Sequence, residues 1–236
     1  MSDEAPSPRR IRIASYNVHR CIGADRRCDP DRIASVLREL QVDIVALQEV
    51  DSDHWVKGGI DQLVFLSEAI GFQAVAGPTV CRGTSHYGNA LLSRLPLRDV
   101  RQHDLSVRGR EPRCAIAAEV DVDGLPLRVV ATHLGLGQRE RRAQLRALAS
   151  LMDDESAERL ILLGDMNEWI PGALQPLHAR LTPSPRLRTF PARRPLLALD
   201  RIWVRPRASL DDVRVHWSRA AAVASDHLPL VASVFV

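Results

Sequence analysis

Eight acidic, amide and imidazole residues recur along this 236-residue chain in one kind of setting, the end of an apolar segment of strand length. Asn17 follows Ile13–Tyr16, Glu49 closes the run IVALQE, and His133 closes LRVVATH. Asp165 and Asn167 follow LILLG, Asp200 opens the run DRIWV, and Asp226 with His227 precedes LPLVASV. Rigid strand ends at the rim of a sheet can hold side chains around a cleft. Singly, each residue has an ordinary explanation. A Glu after a strand is a solvated end, Asp-Met-Asn after Gly is turn chemistry, Asp226 is a cap, and His133 is a hydrogen-bonded structural histidine. Together they supply what metal-assisted attack on an anionic ester requires. Carboxylate and amide oxygens suit a hard divalent cation that keeps several waters. Imidazole titrates near neutrality and so suits proton transfer.

These residues need a strand-rich scaffold, and the hydrophobic pattern provides one. Strand-type segments are Ile11–Tyr16, Asp43–Val50, Asn89–Ser93, Cys114–Val122, Leu127–Leu134, Leu160–Leu163, Ile202–Val204, Val213–Trp217 and Leu228–Val236. Asp123-Gly124 is a hairpin signal. Helical periodicity marks Asp31–Leu40 behind Asp29-Pro30, Gln62–Ile70 ahead of Gly71, and Gln138–Met152. In the last of these, Leu145, Leu148 and Met152 lie against a face rich in Arg and Glu. There is no regular βαβ rhythm and no repeat, and many neighbouring strands read as antiparallel. The pattern predicts an α/β sandwich, a packed pair of sheets flanked by helices. Residues 1–9 read as a flexible tail and 10–236 as a single domain. Pro171–Pro195 reads as a long irregular excursion within that domain.

Taken in order, SYNVHR (Asn17), LQEV (Glu49), YGNALLSR (Asn89), ATHL (His133), GDMN (Asp165, Asn167), LDRIWV (Asp200) and SDHLPL (Asp226, His227) resemble the endonuclease/exonuclease/phosphatase family, the deoxyribonuclease I-like phosphohydrolases. Each block is weakly specific, but the ordered set spans nearly the whole chain. The resemblance implies a four-layer α/β sandwich of two packed mixed β-sheets, and a phosphoesterase dependent on Mg²⁺, with Mn²⁺ as the other candidate. It implies Glu49 as the metal anchor, with Asn17 and Asp226 assisting. His227, held by Asp200, is then the first candidate for the base that activates water, and Asp165 the competing one, with Asn167 orienting the water or a phosphate oxygen. His133 implies a phosphate-binding or leaving-group role. Deoxyribonuclease-like members pair this histidine with a glutamate, whose place here falls near Tyr87, so phosphate binding is the expected role. Asn89 and Arg113 are the further phosphate-binding candidates, and His19 is given no role.

Within the family, abasic-site endonucleases carry a Pro-Asn strand end where this chain has Ala131–Leu134, and a lysine soon after the LQE glutamate where it has Val50 and Asp51. The Thr-His-Leu form is more similar to sphingomyelinases, deoxyribonucleases and uncharacterised bacterial members. The expected substrate is a phosphate ester. DNA or RNA is one alternative and a phospholipid or small-molecule ester the other, with a non-catalytic binding module less favoured. Trp55-Val56 and Trp169-Ile170-Pro171 are expected to cover core or cleft rather than to anchor a membrane, so no stable membrane association is expected. Arg82, Arg193 and Arg194 are candidate basic residues for a highly phosphorylated substrate. Net charge is +3, with 32 Lys and Arg against 29 Asp and Glu, which suits an anionic substrate without a polybasic tail. Four cysteines without a CxxC pair read as free thiols, and the polar N-terminus as that of a cytoplasmic protein.

Overall fold

Strand alternation sorts the apolar residues into three layers of core. A computed structural model of the chain describes residues 9–52, 61–83, 85–153, 157–170, 172–205 and 210–236, leaving the expected tail, Trp55-Val56, Pro171 and the Arg82 side chain outside. In β1 (Arg10–Asn17), Ile11 and Ile13 face one way and Ala14 and Tyr16 the other. The same two-residue period runs through β2 (Ile44–Asp51), β7 (Leu125–His133), β8 (Leu160–Asp165) and β10 (Asp200–Arg205), as side chains alternate across a pleated strand. One set, including Ile13, Ile44, Ala46, Val129, Ile161, Leu163 and Ile202, fills the space between two sheets. The opposite faces bury Val45 and Leu47 under α1 (Pro30–Leu40) and α2 (Gln62–Ile70), and Val130, Leu162 and Trp203 under α3 (Gln138–Leu151). Helix, sheet, sheet, helix are therefore the four expected layers.

The remaining strands are β3 (Gln73–Arg82), β4 (Ser85–Ser93), β5 (Leu97–Asp104), β6 (Cys114–Val122), β9 (Thr182–Pro183), β11 (Leu210–Val215) and β12 (Leu230–Phe235). The two six-stranded sheets run β11-β12-β1-β2-β4-β3 and β5-β6-β7-β8-β10-β9. They share one plan. In each, a central parallel pair, β1/β2 or β7/β8, is flanked by antiparallel neighbours and bridged by one crossover helix, α1 or α3. Strand ends of a parallel pair lie at the same sheet edge. The two pairs deliver Asn17 with Glu49, and His133 with Asp165.

Local chemistry fixes several elements. Asp29 caps α1 by accepting the Arg32 N–H, with Pro30 in its first turn. Gly71 ends α2 at φ 70°, and Asp123-Gly124, both at positive φ, makes the β6–β7 hairpin turn. Gly164 of GDMN sits at φ 152° against the next strand, where a Cβ would overlap Thr132 O. β3 and β5 went unread in the sequence because β3 contains Gly77 and Pro78, and β5 is a polar edge strand, exposed along most of its length. The 171–195 excursion contains a short helix, α4 (Gln175–His178), and β9. A second short helix, α5 (Ala221–Ala224), precedes the Asp226 loop.

Candidate active site

Parity explains how the site forms. His133, Asp165 and Asp200 each carry the inter-sheet face one step past its last apolar residue, and Asn17 two steps past Ile13 with Ser15 between, so all four reach the same end of the sandwich. Glu49 would not follow by alternation. Val45 and Leu47 face outward, and Glu49 would go with them. A bulge between Leu47 and Val50 interrupts the β2/β4 register, and Glu49 takes φ 59°, which turns its side chain inward. A non-glycine residue held there costs about 1–3 kcal/mol, and such strain tends to collect at functional sites. Asn167, at φ 48°, and His19, at φ 47°, are left-handed in the same way.

The contacts join both sheets. Asn17 Nδ2 donates to Glu49 Oε1 at 3.0 Å and to Asp165 Oδ2 at 3.1 Å, while its Oδ1 accepts the His19 N–H. Asn17 thus braces Glu49 through its amide nitrogen and keeps one lone pair of Oδ1 beyond the His19 contact. Asp165 Oδ1 accepts the Asn167 N–H at 2.8 Å, and Oδ2 has the Nε2 atoms of His133 and His227 each at 3.6 Å. His227 Nδ1 bonds Asp200 Oδ2 at 2.9 Å, which also accepts Thr189 Oγ1 at 2.5 Å. Thr189 was not foreseen, since nothing distinguishes it in sequence. Ser225 Oγ donates to Asn17 O, and Asp226 Oδ1 lies 3.8 Å from His19 Nδ1, which brings the unassigned His19 into the site.

His133 accepts a hydrogen bond at one ring nitrogen. Asn167 Nδ2 donates to Leu134 O, which fixes the amide orientation, and so must also donate to His133 Nε2 at 3.0 Å. That nitrogen is then an acceptor. Among the described residues no carboxylate pairs with the His133 Nδ1. Burial, with the Arg113 and His227 charges, outweighs the pull of Asp165 and lowers its pKa to about 3, so it stays neutral. His227 is opposite. Burial pushes its pKa down, but Asp200, Asp165 and Asp226 overcome this and raise it to about 10.

Asn89 is buried in β4 and donates to Cys114 O at 3.1 Å. Arg113 is 6% exposed, pairs with Glu111 at 2.8 Å, and leaves its buried Nε without a partner. Arg193 and Arg194 are exposed. A cavity of about 160 Å³ is lined by Arg20, Asp51, His86, Tyr87 and Glu111 among others. Burial, and then the Glu49 and Glu111 charges, hold the Tyr87 phenol protonated. Of the two expected places for Trp169 and Ile170, core or cleft, their 47% and 37% exposure excludes the core.

One cluster of buried donors is close enough together for a metal, and two further carboxylates are open to solvent. Asp165, Asp200 and His227 bring one donor atom each within 4.8 Å of one another, and all three are buried. Glu49 and Asp226 are the accessible carboxylates, Asp226 with a side chain 40% exposed. A cation that keeps most of its waters needs that access, and an all-oxygen set fits a hard divalent ion. No helix among the described residues is long and apolar enough to cross a membrane.

This architecture recurs in known proteins. The chain is 30% identical to the uncharacterised protein YbhP of Escherichia coli strain K12, over 95% of this chain and 96% of that one. It superposes on an endonuclease/exonuclease/phosphatase structure from Beutenbergia cavernae with a TM-score of 0.76 and 24% identity, covering 97% of this chain and 72% of that one. It also superposes on D. rerio TDP2 complexed with a single-strand DNA product, with a TM-score of 0.71 and 17% identity, covering 95% and 98%. Residues 14–227 match the sequence pattern of one family throughout, and the chain belongs to the endonuclease/exonuclease/phosphatase family, whose fold is that of metal-dependent phosphoesterases.

Proposed function

We propose that this chain hydrolyses a phosphodiester with the help of a divalent cation, water attacking the phosphorus in line. The observation that carries the reading is the position of Asp165, whose Oδ2 meets Asn17 at 3.1 Å and both imidazoles at 3.6 Å, at the seam of the two sheets. Asp165 accepts the proton of the attacking water. Asn167, its amide nitrogen committed to Leu134 O and His133 Nε2, has its carbonyl oxygen left to orient that water. His227, anchored through Nδ1 by Asp200, presents Nε2 to a non-bridging phosphate oxygen. In this reading Asp165 is the base and His227 the charge stabiliser, with His133 supporting Asn167. Arg113, with an unpartnered buried Nε, adds a cation for the phosphate.

Glu49 and Asp226 are the residues that would hold Mg²⁺ or Mn²⁺, which when bound supplies positive charge against the ester's own. The test is cleavage of bis-p-nitrophenyl phosphate, plasmid DNA, RNA, sphingomyelin and inositol phosphates with either metal. Asp165→Ala and His227→Ala are each expected to lower kcat by at least ~10²-fold. Glu49→Ala is expected to abolish both turnover and the thermal stabilisation that Mg²⁺ gives the wild-type chain. Near-normal turnover in any of these variants removes that residue from the mechanism.

A further inference from the structure

Hydrolysis leaves unexplained why large apolar side chains stand in solvent on the loops that follow β7 and β8. Leu136 is 75% exposed, Trp169 47% and Ile170 37%. Trp169 lies two residues beyond Asn167, so its Cα is within ~7 Å of that residue's. Its ring is not loose. The Arg141 guanidinium lies over it, 5.1 Å from the ring centroid, and Arg141 is itself 1% exposed. Arg141 is pinned by Glu168 Oε2 at 2.9 Å, Leu136 O at 2.6 Å and Gly135 O at 3.4 Å. Arg186 donates to Trp169 O at 3.1 Å, fixing the backbone as well. Because the arginine is buried, it backs the inner face of the indole and leaves the outer face open. Tyr87 supplies the contrast. There Arg20 lies 4.6 Å from the ring centroid, but its own side chain is 50% exposed, so the arginine caps the ring from outside.

We propose that the outer face of Trp169 is a stacking subsite for a planar heteroaromatic group, a nucleobase carried next to the scissile phosphate. This rests on the phosphodiesterase reading above. An aromatic ring stacks on any nucleobase, because every base presents a π-face. A ring held in advance loses little freedom on binding, and the buried Arg141 provides that hold. An apolar anchor for a lipid surface gains nothing from a locked ring with a cation behind it. Cationic groups at the same rim suit the flanking phosphates: Arg186 holds the Trp169 backbone, and the Arg110 guanidinium lies beside Gly137.

The test compares two single-stranded oligonucleotides of one length, one with bases and one with abasic tetrahydrofuran units, in Mg²⁺. Trp169→Ala is expected to lower kcat/KM on the base-bearing strand on the order of 10- to 100-fold and to leave the abasic strand unchanged. Trp169→Phe should keep most of the activity. Adenosine 5′-monophosphate should quench tryptophan fluorescence in the wild-type chain and not in Trp169→Phe, a readout independent of turnover and of any folding defect in the alanine variant. Equal losses on both strands, or no AMP quench, overturn the subsite. So does a fluorescence blue shift with phosphatidylglycerol vesicles that Trp169→Ala abolishes while AMP has no effect, which would make the loop a lipid contact. If neither strand is cut in a Glu49-dependent manner, the phosphodiesterase reading fails, and the AMP quench still decides the subsite.

Discussion

Two histidines a few ångströms from one carboxylate are held in opposite charge states. His133, buried and beside Arg113, is held neutral down to about pH 3, and His227, between Asp200 and Asp165, holds its proton to about pH 10. The consequences for stability have opposite signs. In the unfolded chain both titrate near 6.5. As pH rises from there toward 10, the unfolded chain loses the His227 proton first, so the stabilisation present below 6.5 is lost. As pH falls from 6.5 toward 3, the unfolded chain gains a His133 proton that the folded chain refuses, and stability falls again. Melting temperatures of the metal-free protein should therefore peak near neutrality. His227→Gln should flatten the alkaline limb and His133→Gln should relieve part of the acid one. An alkaline limb unchanged in His227→Gln would show that the His227 charge is not held as described.

At the scale of elements, the sequence showed where the strand ends were but not what turned or braced them. Asn17, His133, Asp165 and Asp200 were legible because each continues a two-residue alternation. Glu49 was legible as a strand end, but its inward turn was not, since the bulge has no marker residue such as Gly. The polar face of α3 misled most. A run of Arg and Glu reads as solvated, yet Glu140, Arg141 and Gln144 are buried at 5%, 1% and 1% exposure. Gln144 Oε1 takes the Gly135 N–H, and Arg141 pairs with Glu168, so α3 ties together the loops after His133 and after Asn167. Leaving one member of such a buried pair alone costs about 3–5 kcal/mol. Arg141→Met should therefore lower chemical-denaturation stability by that order. The double variant with Glu168→Leu should recover much of the loss, whereas equal stability of the two would place the effect elsewhere.

At the scale of the molecule, the layers, the ordered motifs and the family followed from pattern, whereas the ester cleaved depends on rim loops that carry no periodicity. Net charge is only +3, so attraction for a polyanion comes from local groups such as Arg110, Arg113 and Arg186. A nucleic-acid substrate contacting several of these should show KM rising steeply with salt, as counterion release requires. A small ester that fits the 160 Å³ cavity lined by Arg20 and Tyr87 should respond far less. A flat salt response of KM would count against the nucleic-acid reading, and with it the base-stacking role of Trp169.

The reactive groups are divided between two jaws. Asn17 and Glu49 belong to one sheet and His133, Asp165 and Asp200 to the other, and the Asn17–Asp165 bond spans the gap between them. Apolar packing and a few polar bonds, Asn17–Asp165 and Asn89–Cys114 among them, set how the jaws line up, so a slip of one pleat would keep every ladder intact yet part the reacting groups. Turnover should accordingly fade on heating before the circular dichroism of the sheets changes, making catalysis the finer gauge of how the two halves are seated.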